Sequence, residues 1–74
     1  MTPEELKQII RDTTRRYNTI LNSELAWRDS IIRRAVANKW SARWIRDETW
    51  NANRRINDSK RMIAMQYELL ARYN

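Results

Sequence analysis

The sequence Asn38-Lys39-Trp40-Ser41, near the middle of the chain, separates two long stretches of helical periodicity. On its N-terminal side, apolar residues recur every three or four positions, and no helix-breaking residue intervenes before Asn38. On its C-terminal side the same period restarts at Ile45, and Ser41 is a residue type preferred at a helix N-cap. These four residues therefore predict a turn between two helical halves.

The first helix is predicted to begin near Pro3. Thr2 and Glu5 form the Thr-x-x-Glu pattern of a capping box, and proline is favoured at the first helical position. A helix from there to the turn has roughly 36 residues and a length of about 54 Å. An amphipathic rod of that length cannot cover its apolar face within a chain of 74 residues. We therefore expect a homodimer.

The second half predicts either one helix or two. Ile45 and Leu70 share one apolar face of a continuous helix, whereas Asn57-Asp58-Ser59 combines three residues that favour caps and turns. No segment shows the alternation of a strand. The predicted fold class is all-α, with a long N-terminal helix followed by one or two further helices. It forms a single domain over residues 1–74 that assembles as a dimeric helical bundle.

The absence of three residue types excludes several classes of chemistry. The chain has no Cys, no His and no Gly, which excludes thiol nucleophiles, Ser-His-Asp triads, zinc sites and glycine-rich phosphate loops. We therefore expect neither a metal nor a cofactor. The longest apolar run, Met62 to Met65, is too short for a membrane span or a secretory signal. The composition thus predicts a soluble cytoplasmic protein that does not bind a membrane.

Polar residues interrupt the apolar face of both halves. In the first half they are Glu24, Arg28 and Lys39. Arg28 and Lys39 are eleven residues apart, which is three helical turns, so both side chains are expected to point the same way. The corresponding residues of the second half are Glu48, Arg55, Ser59 and Gln66. Two opposed helices would enclose these residues as a polar strip with more cations than carboxylates.

Two interpretations of the polar strip remain open. In the first, the polar residues lie at the edges of the apolar face of each helix, where long side chains reach water. A pair between Glu24 and Arg28 would then fix the register of the bundle. Alternatively, an anionic ligand supplies the missing negative charge, since Arg binds carboxylate and phosphate groups in a bidentate manner. Fixed cations of this kind can also hold a flexible dianion in a reactive conformation and promote a unimolecular rearrangement.

The spacing of three cations resembles that of the all-helical chorismate mutases. Arg11, Arg28 and Lys39 are separated by sixteen and ten residues, as are the cations on the long first helix of that family. The segment Ser41–Asp47 is similar to the segment that enters the family's second helix. The resemblance covers residues 1–47. It implies a homodimer that converts chorismate, a small dicarboxylate, to prephenate with no cofactor and no covalent intermediate.

The resemblance also implies roles for individual residues. Arg28 and Arg11 of the partner subunit would bind the two substrate carboxylates, and Lys39 would donate to the ether oxygen whose bond to carbon breaks. Gln66 is the nearest candidate to share that last role, because Ile63 occupies the position of the family's glutamine.

The second half departs from the family at one pair of residues. Where the family has an Arg-Glu pair, this chain has Trp50-Asn51, and Glu48 and Arg55 lie on the same helical face as possible substitutes. Ser59 lies in a segment that resembles the family's serine segment. The predicted catalytic residues are Arg28, Lys39, Glu48 and Gln66, and the predicted substrate-binding residues are Arg11, Arg28, Arg55 and Ser59.

Two functions without catalysis are the alternatives. Arg43, Arg54, Arg61 and Arg72 lie eleven, seven and eleven residues apart, on one face of the second half. With 15 Lys+Arg against 9 Asp+Glu, the net charge is +6, which favours nucleic acid or an acidic surface as the partner of a basic binding module. The other alternative is a structural dimeric four-helix bundle in which the polar strip only fixes the register.

Overall fold

Two long α-helices run antiparallel to each other and form a hairpin. A computed structural model describes residues 1–73, in which α1 spans Pro3–Ala37 and α2 spans Ala42–Ala71. The described part of the chain measures 55 × 15 × 14 Å. The all-helical class is confirmed, and the second half is one helix that continues through residues 57–59. Neither helix in residues 1–73 is both long and apolar enough to cross a membrane.

The N-terminus of α1 is capped as its sequence predicts. The Thr2 hydroxyl accepts a hydrogen bond from the backbone N–H of Glu5 at 3.2 Å and donates to the Glu5 carboxylate at 3.2 Å. Pro3 occupies the first turn, where its missing N–H costs no hydrogen bond. Glu4 and Glu5 place negative charge at the positive end of the helix dipole. Local sequence thus determines where α1 begins.

The C-terminus of α1 closes in a Schellman motif. The backbone N–H of Trp40 donates to the carbonyl of Ala35 at 2.9 Å, and that of Lys39 donates to the carbonyl of Val36 at 3.2 Å. This arrangement requires a left-handed residue, and Lys39 adopts a φ of 54°. Lys39 therefore lies beyond the end of α1. The expectation that Lys39 continues the helical face of Arg28 is wrong, because α1 ends at Ala37 and Lys39 lies in the turn that follows.

A second cap starts α2 immediately after the turn. The Ser41 hydroxyl accepts a hydrogen bond from the backbone N–H of Trp44 at 3.1 Å, which confirms Ser41 as the N-cap. The indole rings of Trp40 and Trp44 pack edge to face, with centroids 4.6 Å apart and an interplanar angle of 71°. This aromatic pair closes the turn between the helices.

The helices meet along a narrow seam with the spacing of an antiparallel coiled coil. In both helices the side chains that lie against the opposite helix are alternately three and four residues apart. The seam consists of Ile10, Thr14, Tyr17, Leu21, Glu24, Arg28, Ile31 and Ala35 from α1, and of Ile45, Thr49, Ala52, Ile56, Ser59, Ile63, Gln66 and Leu70 from α2. Six of these sixteen residues carry a charge, an amide or the hydroxyl of Ser or Thr, which coiled-coil seams usually exclude. They are Thr14, Glu24, Arg28, Thr49, Ser59 and Gln66.

The apolar core of this hairpin is small. Within residues 1–73 the buried apolar residues are Ile10, Ala35, Ala52 and Ile56, and two of the four are alanines. No large side chain in that part of the chain is fully buried. Because two helices cover each other on one side only, most apolar surface outside the seam stays in contact with water.

Candidate functional site

A polar cluster joins the two helices at the middle of the seam. The Arg28 guanidinium reaches from α1 to α2 and donates from Nη1 to the Oδ1 of Asn53 at 2.7 Å. Its Nε lies 3.9 Å from an Asp29 carboxylate oxygen, and the Asp29 side chain is mostly exposed. Arg28 is thus held by a neutral amide and by one long, solvent-screened ion pair.

The same cluster contains a second cross-helix pair. The Arg55 Nε donates to the Oε2 of Glu24 at 2.9 Å, and the Arg55 guanidinium also stacks on the Trp27 ring, 5.2 Å from its centroid. The Glu24 side chain is 23% exposed and the Arg55 side chain 47% exposed. The pairing of Glu24 with Arg28, which belonged to the first of the two interpretations of the strip, is therefore wrong. Each residue instead uses a partner on α2, because the register of the hairpin places Arg55 and Asn53 closer.

Two further polar residues of the predicted strip are buried in the seam. Ser59 is 7% exposed and Gln66 is 9% exposed. They lie six and thirteen residues beyond Asn53, which places them about 9 Å and 20 Å from it along α2. Within residues 1–73, no fully buried side-chain N or O atom lacks a hydrogen-bond partner. Of the polar strip predicted for α2, Ser59 and Gln66 therefore lie in the seam, whereas Glu48 and Arg55 lie beside it. The four residues are spread along the hairpin.

The predicted catalytic and substrate-binding residues do not converge within one chain. Arg28 and Arg55 lie in the central cluster, and half-buried Glu48 lies seven residues before Arg55, about 10 Å away along α2. Arg11 is seventeen residues before Arg28, about 25 Å away along α1. Lys39 is exposed in the turn at one end of the molecule, whereas Gln66 lies toward the other end. A site built from all of them requires residues of a second copy.

The structure brings two residues into the cluster that sequence reasoning missed. Asn53 and Trp27 lie beside the seam and contact Arg28 and Arg55, respectively. The three-four spacing of the seam could have indicated them, because residues next to a coiled-coil seam commonly pair across the two helices.

The two sides of the hairpin that flank the seam differ in composition. The stack of Trp27 on Arg55 identifies one side, and residues seven positions away along each helix continue it. We call this side the apolar flank. Its apolar members are Leu6, Ile9, Ile20, Trp27, Met62, Met65 and Leu69. All of them are half-buried or exposed, and Ile9, Ile20 and Met65 are 49%, 49% and 46% exposed.

The opposite side, which we call the basic flank, is marked by the hydrogen bond between Arg28 and Asn53. Steps of seven residues from Asn53 reach Arg46 and Lys60, and the exposed Trp50 lies next to them. The cationic residues on this flank and along its outer edge are Arg11, Arg15, Arg43, Arg46, Arg54, Lys60 and Arg61.

A shallow groove is open to solvent on the basic flank. Its volume is about 490 Å³. The residues that line it are Trp50, Asn53, Arg54, Asn57, Asp58 and Arg61. The Arg54 guanidinium lies 5.8 Å from the centroid of the Trp50 ring. The groove therefore offers one aromatic face, two guanidinium groups and two amides.

Within residues 1–73, no group of three acidic, cysteine or histidine residues could hold a metal ion. No protein-family model, curated protein or solved structure matches the chain.

Proposed function

We propose that the protein is a self-associating helical hairpin, in which two copies pack their apolar flanks together and form a four-helix bundle. The observation that carries this proposal is the contrast between the two parts of the apolar surface. Within residues 1–73 the hairpin buries four apolar residues, two of them alanines, while the seven apolar side chains of the apolar flank keep partial contact with water.

The energetics of burial support association through this flank. Full burial of a large aliphatic side chain contributes about 1.5–3 kcal/mol. Covering the exposed half of Ile9, Ile20 or Met65 therefore contributes about 1 kcal/mol for each side chain. Small domains commonly obtain through oligomerisation the apolar burial that a single copy cannot supply.

The dimensions of the hairpin also suit a stable dimer. One lateral face measures 55 by 15 Å, an area of about 800 Å², which equals the surface that a standard interface buries on each partner. A two-fold arrangement brings the same flank of each copy together, as an isologous interface requires. Side-by-side packing of the hairpins then produces the up-and-down arrangement of a four-helix bundle.

Sedimentation velocity tests this proposal with a matched pair of variants. Ile20→Glu places a charge on the apolar flank, whereas Val36→Glu makes a similar change on the other side of α1, where Val36 is 65% exposed. We expect the wild type and Val36→Glu to be dimers at micromolar concentration, and Ile20→Glu to dissociate at least tenfold more readily. A monomeric wild type, or equal effects of the two substitutions, would contradict the proposal.

A second candidate function is binding and rearrangement of a small dicarboxylate, as in the chorismate mutases that the first half resembles. The observation that favours it is the environment of Arg28, a cation in the seam whose shortest contact is with the neutral amide of Asn53. A substrate carboxylate would provide the missing negative charge. Arg55 lies in the same cluster and is the nearest candidate for a second cation that binds the substrate.

The second candidate requires a different interface from the first. Arg11 and Asn53 both lie on the basic flank, so a site shared between Arg28 and Arg11 of the partner subunit needs the two basic flanks to face each other. Because Lys39 lies in the turn at one end of the hairpin, its side chain would have to extend from there to the site that Arg28 and the partner's Arg11 share. Association through the apolar flank instead leaves Arg11 on the outside of the dimer, so one experiment on the interface separates the two candidates.

An assay with chorismate tests the second candidate directly. Prephenate formation is expected for the wild type and is expected to fall by about 10²-fold or more in Arg28→Ala, because a positioned cation is lost. Mixing Arg11→Ala with Arg28→Ala restores part of the activity if the site is shared, since one mixed dimer site then has both arginines. A folded protein with no turnover above the uncatalysed rate would remove this candidate and leave the assembly proposal intact.

A further inference from the structure

The positive charge of the protein is concentrated where ion pairs do not neutralise it. Of the cationic side chains in residues 1–73, those within 4.0 Å of a carboxylate are Lys7, Arg28 and Arg55. The seven cationic residues of the basic flank form no such pair within the described part of the chain. Seven of the twelve cationic side chains in residues 1–73 that form no ion pair therefore lie on the basic flank.

The groove on this flank adds an aromatic surface to the charge. Trp50 is 61% exposed, the highest exposure among the four tryptophans. Arg54 lies against its ring, and Arg61 lines the same groove. An exposed indole beside guanidinium groups is the combination on which proteins stack unpaired nucleobases while holding the adjacent phosphates.

Asparagine side chains complete the chemistry of this side. Asn57 lines the groove, and Asn18 and Asn22 lie on the part of α1 that borders the basic flank. A side-chain amide both donates and accepts hydrogen bonds, so it can pair with the edge of any exposed base. Asp58 also lines the groove and is the carboxylate that an incoming phosphate must avoid.

We propose that the basic flank binds single-stranded nucleic acid, with one base stacked on Trp50 and the phosphates near Arg54 and Arg61. A duplex fits less well, because its bases are already stacked on each other and cannot cover the indole ring. Arg43 and Arg61 are eighteen residues apart, about 27 Å along α2, a length that several nucleotides of an extended strand cover. An acidic protein surface would pair with the arginines of the basic flank but would leave the exposed Trp50 ring without a stacking partner.

This inference is independent of the proposed assembly. The basic and apolar flanks lie on opposite sides of the seam, so a dimer formed through the apolar flank displays two basic flanks to solvent. Failure of the dimer would leave nucleic-acid binding possible, and failure of binding would leave the dimer possible.

Fluorescence anisotropy with labelled oligonucleotides tests the inference. The probes are an oligouridine and an oligothymidine of about 15 nucleotides and a duplex of the same length, each measured at about 50 and 200 mM salt. Unlabelled heparin serves as a polyanion without bases. We expect tighter binding of both single strands than of the duplex, weaker binding at higher salt and poor competition by heparin at equal charge. The RNA and DNA strands identify which sugar is preferred.

Two pairs of variants locate the site. The double variant Arg54→Gln/Arg61→Gln is compared with the double variant Arg16→Gln/Arg33→Gln, which removes the same charge from exposed residues of α1 outside the groove. Because Arg16 lies on the side of the apolar flank, sedimentation velocity checks that this control keeps the association state of the wild type. Trp50→Ala is compared with Trp44→Ala, and circular dichroism confirms that all variants are helical. We expect a loss of at least tenfold for the groove variants and less than threefold for the controls. No binding at low salt, equal losses in both charge pairs, no effect of Trp50→Ala, or equal affinity for heparin would each overturn the inference.

Discussion

A single residue, Lys39, combines a conformational cost with a predicted chemical role. Its φ of 54° lies in the left-handed region that glycine usually occupies at the end of a helix. The chain contains no glycine at all, so the side chain of Lys39 must tolerate this geometry at a cost of about 1–2 kcal/mol. A non-glycine residue held in such a conformation is a reason to test whether its side chain has a function.

We predict that Lys39→Gly raises the free energy of unfolding by about 1 kcal/mol, because glycine adopts a positive φ without a Cβ clash. Asn38→Gly is the control, since Asn38 has a φ of −96° and its side chain donates to the carbonyl of Arg34 at 2.8 Å. That variant should lose stability. Urea unfolding at one fixed protein concentration measures both. A less stable Lys39→Gly variant would show that the Lys39 side chain itself stabilises the turn.

At the scale of the helices, the seam explains which parts of the fold the sequence predicts. The caps at Thr2 and Ser41 depend on hydrogen bonds within a few residues, so local sequence was sufficient to place both helix starts. The Asn57-Asp58-Ser59 segment left a break possible. It stays helical because Ile56, just before it, and Ser59, its last residue, are buried in the seam, and tertiary packing overrides a weak turn preference.

The candidate site was less predictable than the helix ends, because its contacts depend on how the two helices pack and not on local sequence. A helical projection of one segment shows that Glu24 and Arg28 share a face, but it does not show which residues of the opposite helix lie closer. The register of the hairpin gives those partners, Asn53 and Arg55. A helical projection also could not predict that Lys39 lies in the turn. Glycine is the usual sign of a left-handed residue at the end of a helix, and this chain has none.

Replacement of a polar residue in the seam tests the cost of the polar strip. We predict that Gln66→Leu stabilises the hairpin by about 1 kcal/mol, because Gln66 is only 9% exposed and a leucine of similar size buries more apolar surface at this position. Gln8→Leu is the matched control. Gln8 is exposed and donates to Asp12 at 2.9 Å, so its replacement should change stability by less than about 0.5 kcal/mol. The urea midpoints of the two variants provide the comparison.

A destabilised Gln66→Leu variant would indicate that the amide makes an interaction that an apolar side chain cannot replace. The same variant also informs the chorismate mutase-like candidate, in which Gln66 shares a catalytic role. Loss of prephenate formation in a protein that has become more stable would separate a functional residue from a structural one.

At the scale of the whole molecule, the two flanks differ in the kind of contact that they favour. The apolar flank has side chains that water solvates poorly, and the cations of the basic flank form no ion pair within 4.0 Å in residues 1–73. Packing of the apolar flanks brings Arg16 and Arg55 of each copy to the edge of the interface but leaves the seven cations of the basic flank hydrated. Packing of the basic flanks against each other would bring those seven like charges of each copy together. Electrostatic repulsion therefore favours the apolar interface unless an anion lies between the basic flanks.

Two adjacent arginines allow this choice of interface to be measured. Arg16 lies on the side of the apolar flank, near its midpoint between Leu6 and Trp27, and Arg15 lies on the basic flank. The chain has no cysteine, so Arg16→Cys and Arg15→Cys each introduce one thiol and remove the same charge. We predict that oxidation or a short bis-maleimide links Arg16→Cys into covalent dimers on a denaturing gel and leaves Arg15→Cys unlinked. Linkage of Arg15→Cys alone would instead place the basic flanks face to face, as a site shared with Arg11 of the partner subunit requires.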